Sequence, residues 1–250
     1  MRKFGLIGFP LGHSFSEDYF TQKFEREKIN DCIYENYPIR SIEELPGIIC
    51  SNPGLCGLNV TIPYKTAVLR YADCTDPEVK EIGAANVLKI RRDKNITRVS
   101  AFNSDIAGIR DTLLPYLEEN VRKALILGTG GSSKAVAFTL QKMGIEIQKV
   151  SRSKQPDTLT YDEIDSSVIA GTDLIINTSP LGMYPDVSSR PALNYDLLNE
   201  KHILFDLVYN PEITSFLRMG QERGCRIITG LKMLYSQAER SWEIWNDPGY

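Results

Sequence analysis

The sequence predicts an α/β protein with largely parallel sheets, built as two domains that meet near residue 105. Three observations carry this reading. Short apolar runs of strand length alternate with amphipathic helical stretches along the chain, the pattern of strands joined by helical crossovers. After residue 105 the alternation restarts as a second strand–helix series. With 250 residues and 42% hydrophobic content, the chain can bury one large core or two smaller ones.

In chain order, KFGLIG reads as a first strand. Ser16 to Lys28 follows as a helix with Ser16 as N-cap, Glu17 and Asp18 in its first turn, and Phe20 and Phe24 on one face. YENYPI, LCGLNV and AANVLKI read as strands, separated by helical stretches after Ser41, Pro63 and Asp76. A helix from about Ser104 through Leu117 leads into the second series: KALILG, SSKAVAFTLQKMG, EIQKVSR, DLIINTS, HILFDLVY and TSFLRMGQERG. The last helix, LKMLYSQAERSWEIW, carries Leu234, Ala238, Trp242 and Trp245 on an apolar side that must dock on something.

Composition narrows the function. A formal net charge of -3 with no run of Lys or Arg gives no footprint for nucleic acid or an anionic membrane. The start, MRKFGLIGFP, is basic and then apolar, but Gly and Pro break it before a signal-peptide core forms, and no later stretch approaches a membrane span. The expectation is a cytoplasmic protein. Five cysteines form an odd set with no CxxC pair and no histidine at metal-ligand spacing, so reduced thiols and no metal are expected.

The clearest local signal is LILGTGGSSKA. An apolar strand runs into Gly128-x-Gly130-Gly131 and then a helix, the context in which backbone amides and a helix N-terminus approach a pyrophosphate. Ser133 stands where the usual third glycine or alanine would be. The next strand ends KVSRS, not in Asp or Glu. Arg152, helped by Ser151, Ser153 and Lys154, offers a planar fork and cations to a 2'-phosphate, which favours NADP over NAD.

Two more clusters lie in the first half. FPLGHSFS sets His13 beside Ser14 and Ser16, a suggestion of nucleophilic catalysis, but it has no GxSxG elbow. In GLNVTIPYK, an extended LNVT points Asn59 and Thr61 to one face, and Lys65 follows in the first turn of a helix begun at Pro63. GAANVL adds Asn86, and AFNSDIAG adds Asp105 at a helix start. Together they suit a small polyhydroxylated ligand.

Over nearly its whole length the chain resembles the shikimate dehydrogenases, through PLGHSFS, GLNVTIPYK, GAANVL, FNSD, GTGGSSKA, SRS, NTSPLGM, DLVYNP and GLKMLYSQA in order. The resemblance implies a substrate-binding domain over residues 1–105, rejoined by the C-terminal helix 231–250, a Rossmann-like NADP domain over 106–230, and an active site in the cleft between them. It implies reversible NADPH-dependent reduction of 3-dehydroshikimate to shikimate, on the way to chorismate and the aromatic amino acids, by a monomer or homodimer. Residue by residue, it places Ser14 and Ser16 on the substrate carboxylate with Tyr209 nearby. Thr61, Asn86 and Gln237 take ring hydroxyls with Asn59 in support, and Lys65 with Asp105 forms the catalytic pair. Gly128, Gly130 and Gly131 line the pyrophosphate, Ser151, Arg152 and Lys154 face the 2'-phosphate, Thr178, Ser179, Gly182 and Met183 lie on the nicotinamide side, and Gly230 is a further cofactor-binding residue. Ser14 and Ser16, in an extended loop, then donate two charge-assisted hydrogen bonds to a carboxylate, and His13 is a loop-fixing residue. SRSKQ departs from the Asn-Arg-Thr and following arginine common in the family, Lys154 replacing that arginine in part. Two rival readings stand beside this one. A quinate/shikimate dehydrogenase or another paralogue would act on a related hydroxy acid, and a non-catalytic dinucleotide sensor would lose Lys65 or Asp105.

Overall fold

The computed structural model describes residues 1–11, 14–94, 96–117 and 121–249. The chain forms two compact units, residues 1–104 with 238–250, and residues 105–237.

The first unit contains β1 (Arg2–Gly8), α1 (Phe15–Arg26), β2 (Cys32–Pro38), α2 (Leu45–Ser51), β3 (Leu55–Val60), β4 (Cys74–Thr75), α3 (Pro77–Ile82), β5 (Val87–Asp93) and β6 (Ile96–Phe102). Its sheet runs β2-β1-β3-β5-β6-β4. β1 pairs in parallel with β2 and β3. Antiparallel ladders join β5 to β3 and to β6. The β5–β6 hairpin falls on the charged stretch RRDKNITRV, whose polar outer end hides the strand period. One face of the sheet carries an aromatic core: Phe20 stacks on Tyr34 at 4.7 Å and Phe4 on Trp245 at 4.8 Å. Burial of these rings is the main stabilising term on this face. Gly57 makes room for that packing, since a Cβ there would lie 2.2 Å from the Trp245 indole nitrogen. That nitrogen donates to the Leu88 carbonyl at 3.0 Å. The opposite face buries Leu45, Leu55, Val68 and Val79.

The second unit begins with α4 (Asp105–Leu113), which passes into a 3-10 turn at Leu114–Tyr116, where Pro115 supplies no N–H to continue the helix. Then come β7 (Lys123–Leu127), α5 (Gly131–Lys142), β8 (Glu146–Ser151), β9 (Thr158–Thr160), α6 (Ser166–Ala170), β10 (Leu174–Asn177), β11 (Ile203–Asp206), α7 (Ser215–Glu222), β12 (Arg226–Ile228) and α8 (Leu231–Asn246). The sheet order is β12-β11-β10-β7-β8-β9, parallel throughout. β7 is buried on both sides. Ala124 and Ile126 enter one core with Ile109, Val136 and Leu140, while Leu125 and Leu127 enter the other with Ile175, Phe216 and Leu217. A strand covered on both faces reads as a continuous apolar run, as KALIL does. α8 is continuous; its residues from Ala238 belong to the first unit and those before it to the second.

Candidate active site

Ser14 closes the N-terminus of α1. Its backbone is extended at φ -98° and ψ 130°, and its hydroxyl accepts the Glu17 N–H at 3.2 Å and donates to Asn36 Oδ1 at 2.9 Å. The cap is therefore Ser14, where the sequence reading placed it at Ser16. Glu17 stands three residues beyond Ser14, the spacing of a capping box. Ser16 lies in the first helical turn and not in an extended loop, with its hydroxyl bonded to that of Tyr34. His13, expected to fix this loop, lies outside the described residues.

Beside this cap a buried polar network gathers five segments of the chain. Tyr34 donates its hydroxyl to Asn59 Oδ1 at 2.9 Å, and Asn59 Nδ2 donates to Ser241 Oγ at 2.9 Å. Asn86 Oδ1 accepts the Ser104 N–H at 2.7 Å, and its Nδ2 donates to Ser104 Oγ at 3.0 Å. The two serine hydroxyls meet at 3.1 Å. Asn59, Asn86, Ser104 and Ser241 are all buried, so each polar atom needs these partners. The amides of Asn59 and Asn86 thus rest on protein groups, and neither Ser104 nor Ser241 was found from the sequence, where both look like ordinary helix-surface serines.

Thr61 lies just past β3, its N–H bonded to the Ile7 carbonyl at 3.0 Å. Lys65 sits half-buried in the turn before a 3-10 helix at Ala67–Tyr71. The expected helix from Pro63 does not form, because the Lys65 carbonyl accepts the Ala85 N–H at 2.8 Å in place of a helical partner. That bond ties the lysine's backbone to the GAANVL segment. Asp105 is buried at the start of α4 in the second unit. One turn further on, Gly108 packs against Met233 and Gln237 of α8. Tyr209 is partly buried after β11, which pushes its hydroxyl pKa up.

The glycine turn follows β7. Gly128 takes φ +126°, and a Cβ there would lie 2.6 Å from Thr178 Oγ1. Only glycine serves both demands. Gly130 caps α5, and Gly131 opens it. Ser133 replaces the usual small residue without penalty, its hydroxyl donating to the Gly128 carbonyl at 2.6 Å. Backbone amides at the start of a 12-residue helix are free of acidic side chains and suit an anion. Ser151 is buried at the end of β8, with Arg152 and Lys154 exposed just beyond. The Lys154 ammonium is committed to Glu163 at 2.7 and 2.8 Å.

A second buried network holds the loops after β10 and β11. Asn177 donates to the Leu181 carbonyl at 3.1 Å and to Asp206 Oδ1 at 3.0 Å, while its own oxygen accepts from the Ser179 hydroxyl at 2.6 Å. Asp206 also accepts the Val208 N–H at 3.0 Å and the Thr214 hydroxyl at 2.6 Å. Burial raises its pKa from 3.8 to about 6, outweighing these bonds, each of which lowers it. Thr178 donates to the Leu127 carbonyl at 2.8 Å, and Ser189 accepts the Gly182 N–H at 2.9 Å. Met183 is exposed, and Gly230 is buried just ahead of α8. Asp206 went unnoticed in the sequence, although an acid inside the apolar run HILFDLVY requires buried partners.

All five cysteines are free, Cys32 and Cys225 buried. Among the described residues no cluster of His, Cys, Asp or Glu could hold a metal ion, and no helix is long and apolar enough to cross a membrane.

A paired strand–helix fold with a glycine cradle in one unit and a neutral polar cluster in the other defines a dinucleotide-dependent class of protein, and comparison with known proteins narrows it. Residues 6–88 match the family described as shikimate dehydrogenase substrate binding domain. A shikimate dehydrogenase (NADP(+)) of Clostridium beijerinckii is 37% identical over 99% of this chain and 93% of its own length. Among solved structures, a shikimate dehydrogenase of Peptoclostridium difficile is 36% identical with a TM-score of 0.81, covering 99% of this chain and 92% of that one. One from Thermus thermophilus, in complex with NADP(H) and shikimate, is 29% identical with a TM-score of 0.85, covering 100% of this chain and 96% of that one. The chain belongs to the shikimate dehydrogenase family.

Proposed function

We propose that the protein catalyses the reversible, NADPH-dependent reduction of 3-dehydroshikimate to shikimate, in the cytoplasm. The observation that carries this is the full-length likeness to relatives named shikimate dehydrogenase (NADP(+)), spanning both units. In this reading the glycine turn at Gly128, Gly130 and Gly131 takes the pyrophosphate, Ser151 and Arg152 the adenine ribose phosphate, and Thr178, Ser179, Gly182 and Met183 the nicotinamide side, with Gly230 a further cofactor-binding residue. The crowding of Gly128 against Thr178 fits such a cradle, in which backbone rather than side chains lines the phosphates. NADPH supplies the hydride when bound.

The rest is done by side chains of the chain itself. Ser14, Ser16 and Tyr209 take the substrate carboxylate, the Ser14 hydroxyl turning its proton from Asn36 and the Ser16 hydroxyl from Tyr34 to donate to it. Thr61, Asn86 and Gln237 hold ring hydroxyls, and Asn59 keeps the cluster in shape. Lys65 gives its proton to the developing alkoxide and stabilises the charge there, and Asp105 orients the lysine. No covalent intermediate is needed. Initial rates with shikimate or quinate, each with NADP or NAD, test the reading. Shikimate with NADP is expected to be the best pair by kcat/KM. A preference for quinate with NAD would assign a paralogous activity, and no turnover with any pair would overturn the proposal.

A further inference from the structure

Beyond the carboxyl end of β8, four polar side chains stand together. β8 and β9 pair with Ser151 opposite Thr160, so residues 152–154 and 161–163 leave the sheet side by side. Arg152 is exposed and close enough to Tyr161 to pull its hydroxyl pKa down, against a larger rise from burial. Arg152 has no carboxylate partner among the described residues. Lys154 differs: its ammonium is held by both oxygens of Glu163. Glu163 is fixed in turn, because Oε2 accepts the Thr160 N–H at 2.7 Å as part of a capping box on the 3-10 turn Tyr161–Glu163. The Lys154 bond, with help from Thr160, holds this carboxyl below the usual range, so Glu163 is an anion at neutral pH.

The residues that follow the second strand of such a domain are those that address the 2' position of the adenine ribose. NADP carries a phosphate there and NAD a hydroxyl. A lysine paired with a fixed carboxylate adds no net charge to this end of the site. We infer that Glu163 is a specificity-determining residue for the cofactor, one that occupies Lys154 and leaves Arg152 to meet the 2'-phosphate without the lysine's help. The inference rests on the reading that the second unit holds NADP. It accounts for a basic loop, SRSK, whose second cation is paired with a carboxylate of the same chain, and it makes the protein's preference for NADP weaker than the sequence suggests.

The test is calorimetric titration of NADP and of NAD into wild type, Glu163→Gln, the double variant Glu163→Gln/Lys154→Ala, and Arg152→Ala. Glutamine can still accept the Thr160 N–H, so the turn keeps its cap while the lysine is released. Glu163→Gln is expected to tighten NADP about three- to tenfold, the scale of one elementary charge acting on a dianion through water, and to leave NAD within about twofold. The gain should shrink at high salt. In the double variant it should vanish, since the freed lysine produces it. An unchanged ratio of NADP to NAD affinity in Glu163→Gln, or equal tightening of both, overturns the inference. Arg152→Ala checks the reading beneath it: removal of a charged hydrogen-bonding group should weaken NADP about ten- to a hundredfold and spare NAD. Equal loss for both cofactors there would show that this loop does not face the 2'-phosphate, and the Glu163 inference would fall with it.

Discussion

The two units solve the same problem with different chemistry. Each has a buried polar network at the end of a parallel strand, Asn59 next to last in β3 and Asn177 and Asp206 last in β10 and β11, where ligands of such sheets bind. In the first unit the side chains bonded to one another are neutral: Tyr34, Asn59, Asn86, Ser104 and Ser241. In the second, Asn177, Ser179 and Thr214 are organised by a carboxylate, Asp206. A neutral network is indifferent to pH across the physiological range. Asp206 collects three hydrogen bonds from the loops, but burial outweighs them in its ionised form, so this network answers to protons.

The largest effect that would break this contrast is at Asp206. Its pKa is raised from 3.8 to about 6 by burial, so the fold favours its protonated form. The stability it contributes is therefore full below about pH 4 and lost as pH rises through about 6. Asp206→Asn keeps the shape and removes the titration. Comparing urea unfolding of wild type and variant from pH 4 to pH 7.5, the wild type's stability relative to the variant should fall by on the order of 3 kcal/mol. Parallel stability curves would mean that Asp206 does not titrate in this range.

A somewhat smaller effect is expected in the neutral network. Asn86→Ala leaves the Ser104 N–H without its acceptor in a fully buried position, at a cost of about 1–3 kcal/mol. The signature that sharpens the comparison is the absence of a slope: the gap between wild type and Asn86→Ala should be constant over the same pH range. A gap that changed with pH would place a titrating group inside the network.

What the sequence made legible follows from where its signals lie. β7 and the glycine turn were readable because an apolar run and a backbone requirement are both written locally, in KALIL and at Gly128. The cap of α1 was displaced by two residues because Ser14 and Ser16 offer the same hydroxyl. The spacing of Ser14 to Glu17 would have decided between them. Pro63 fits a first turn and so predicts a helix through Lys65, but the carbonyl bond to Ala85 that prevents it joins residues twenty positions apart. Such long-range bonds carry no local mark. Ser104 and Ser241 meet only in the fold, and the pairing of Lys154 with Glu163 depends on β9, a three-residue strand too short to leave a pattern.

In the proposed reaction Lys65 serves the chemical step, and the residues proposed to hold NADP lie in the second unit. Lys65→Ala tests it most directly, by following shikimate-dependent formation of reduced nicotinamide and, in parallel, the calorimetric affinity for NADP. General acid–base help is typically worth about 10² to 10⁴ in rate, so kcat should fall by that order with NADP affinity unchanged. A variant that kept the wild-type kcat and showed only a higher KM for shikimate would contradict the claim and make Lys65 a binding residue.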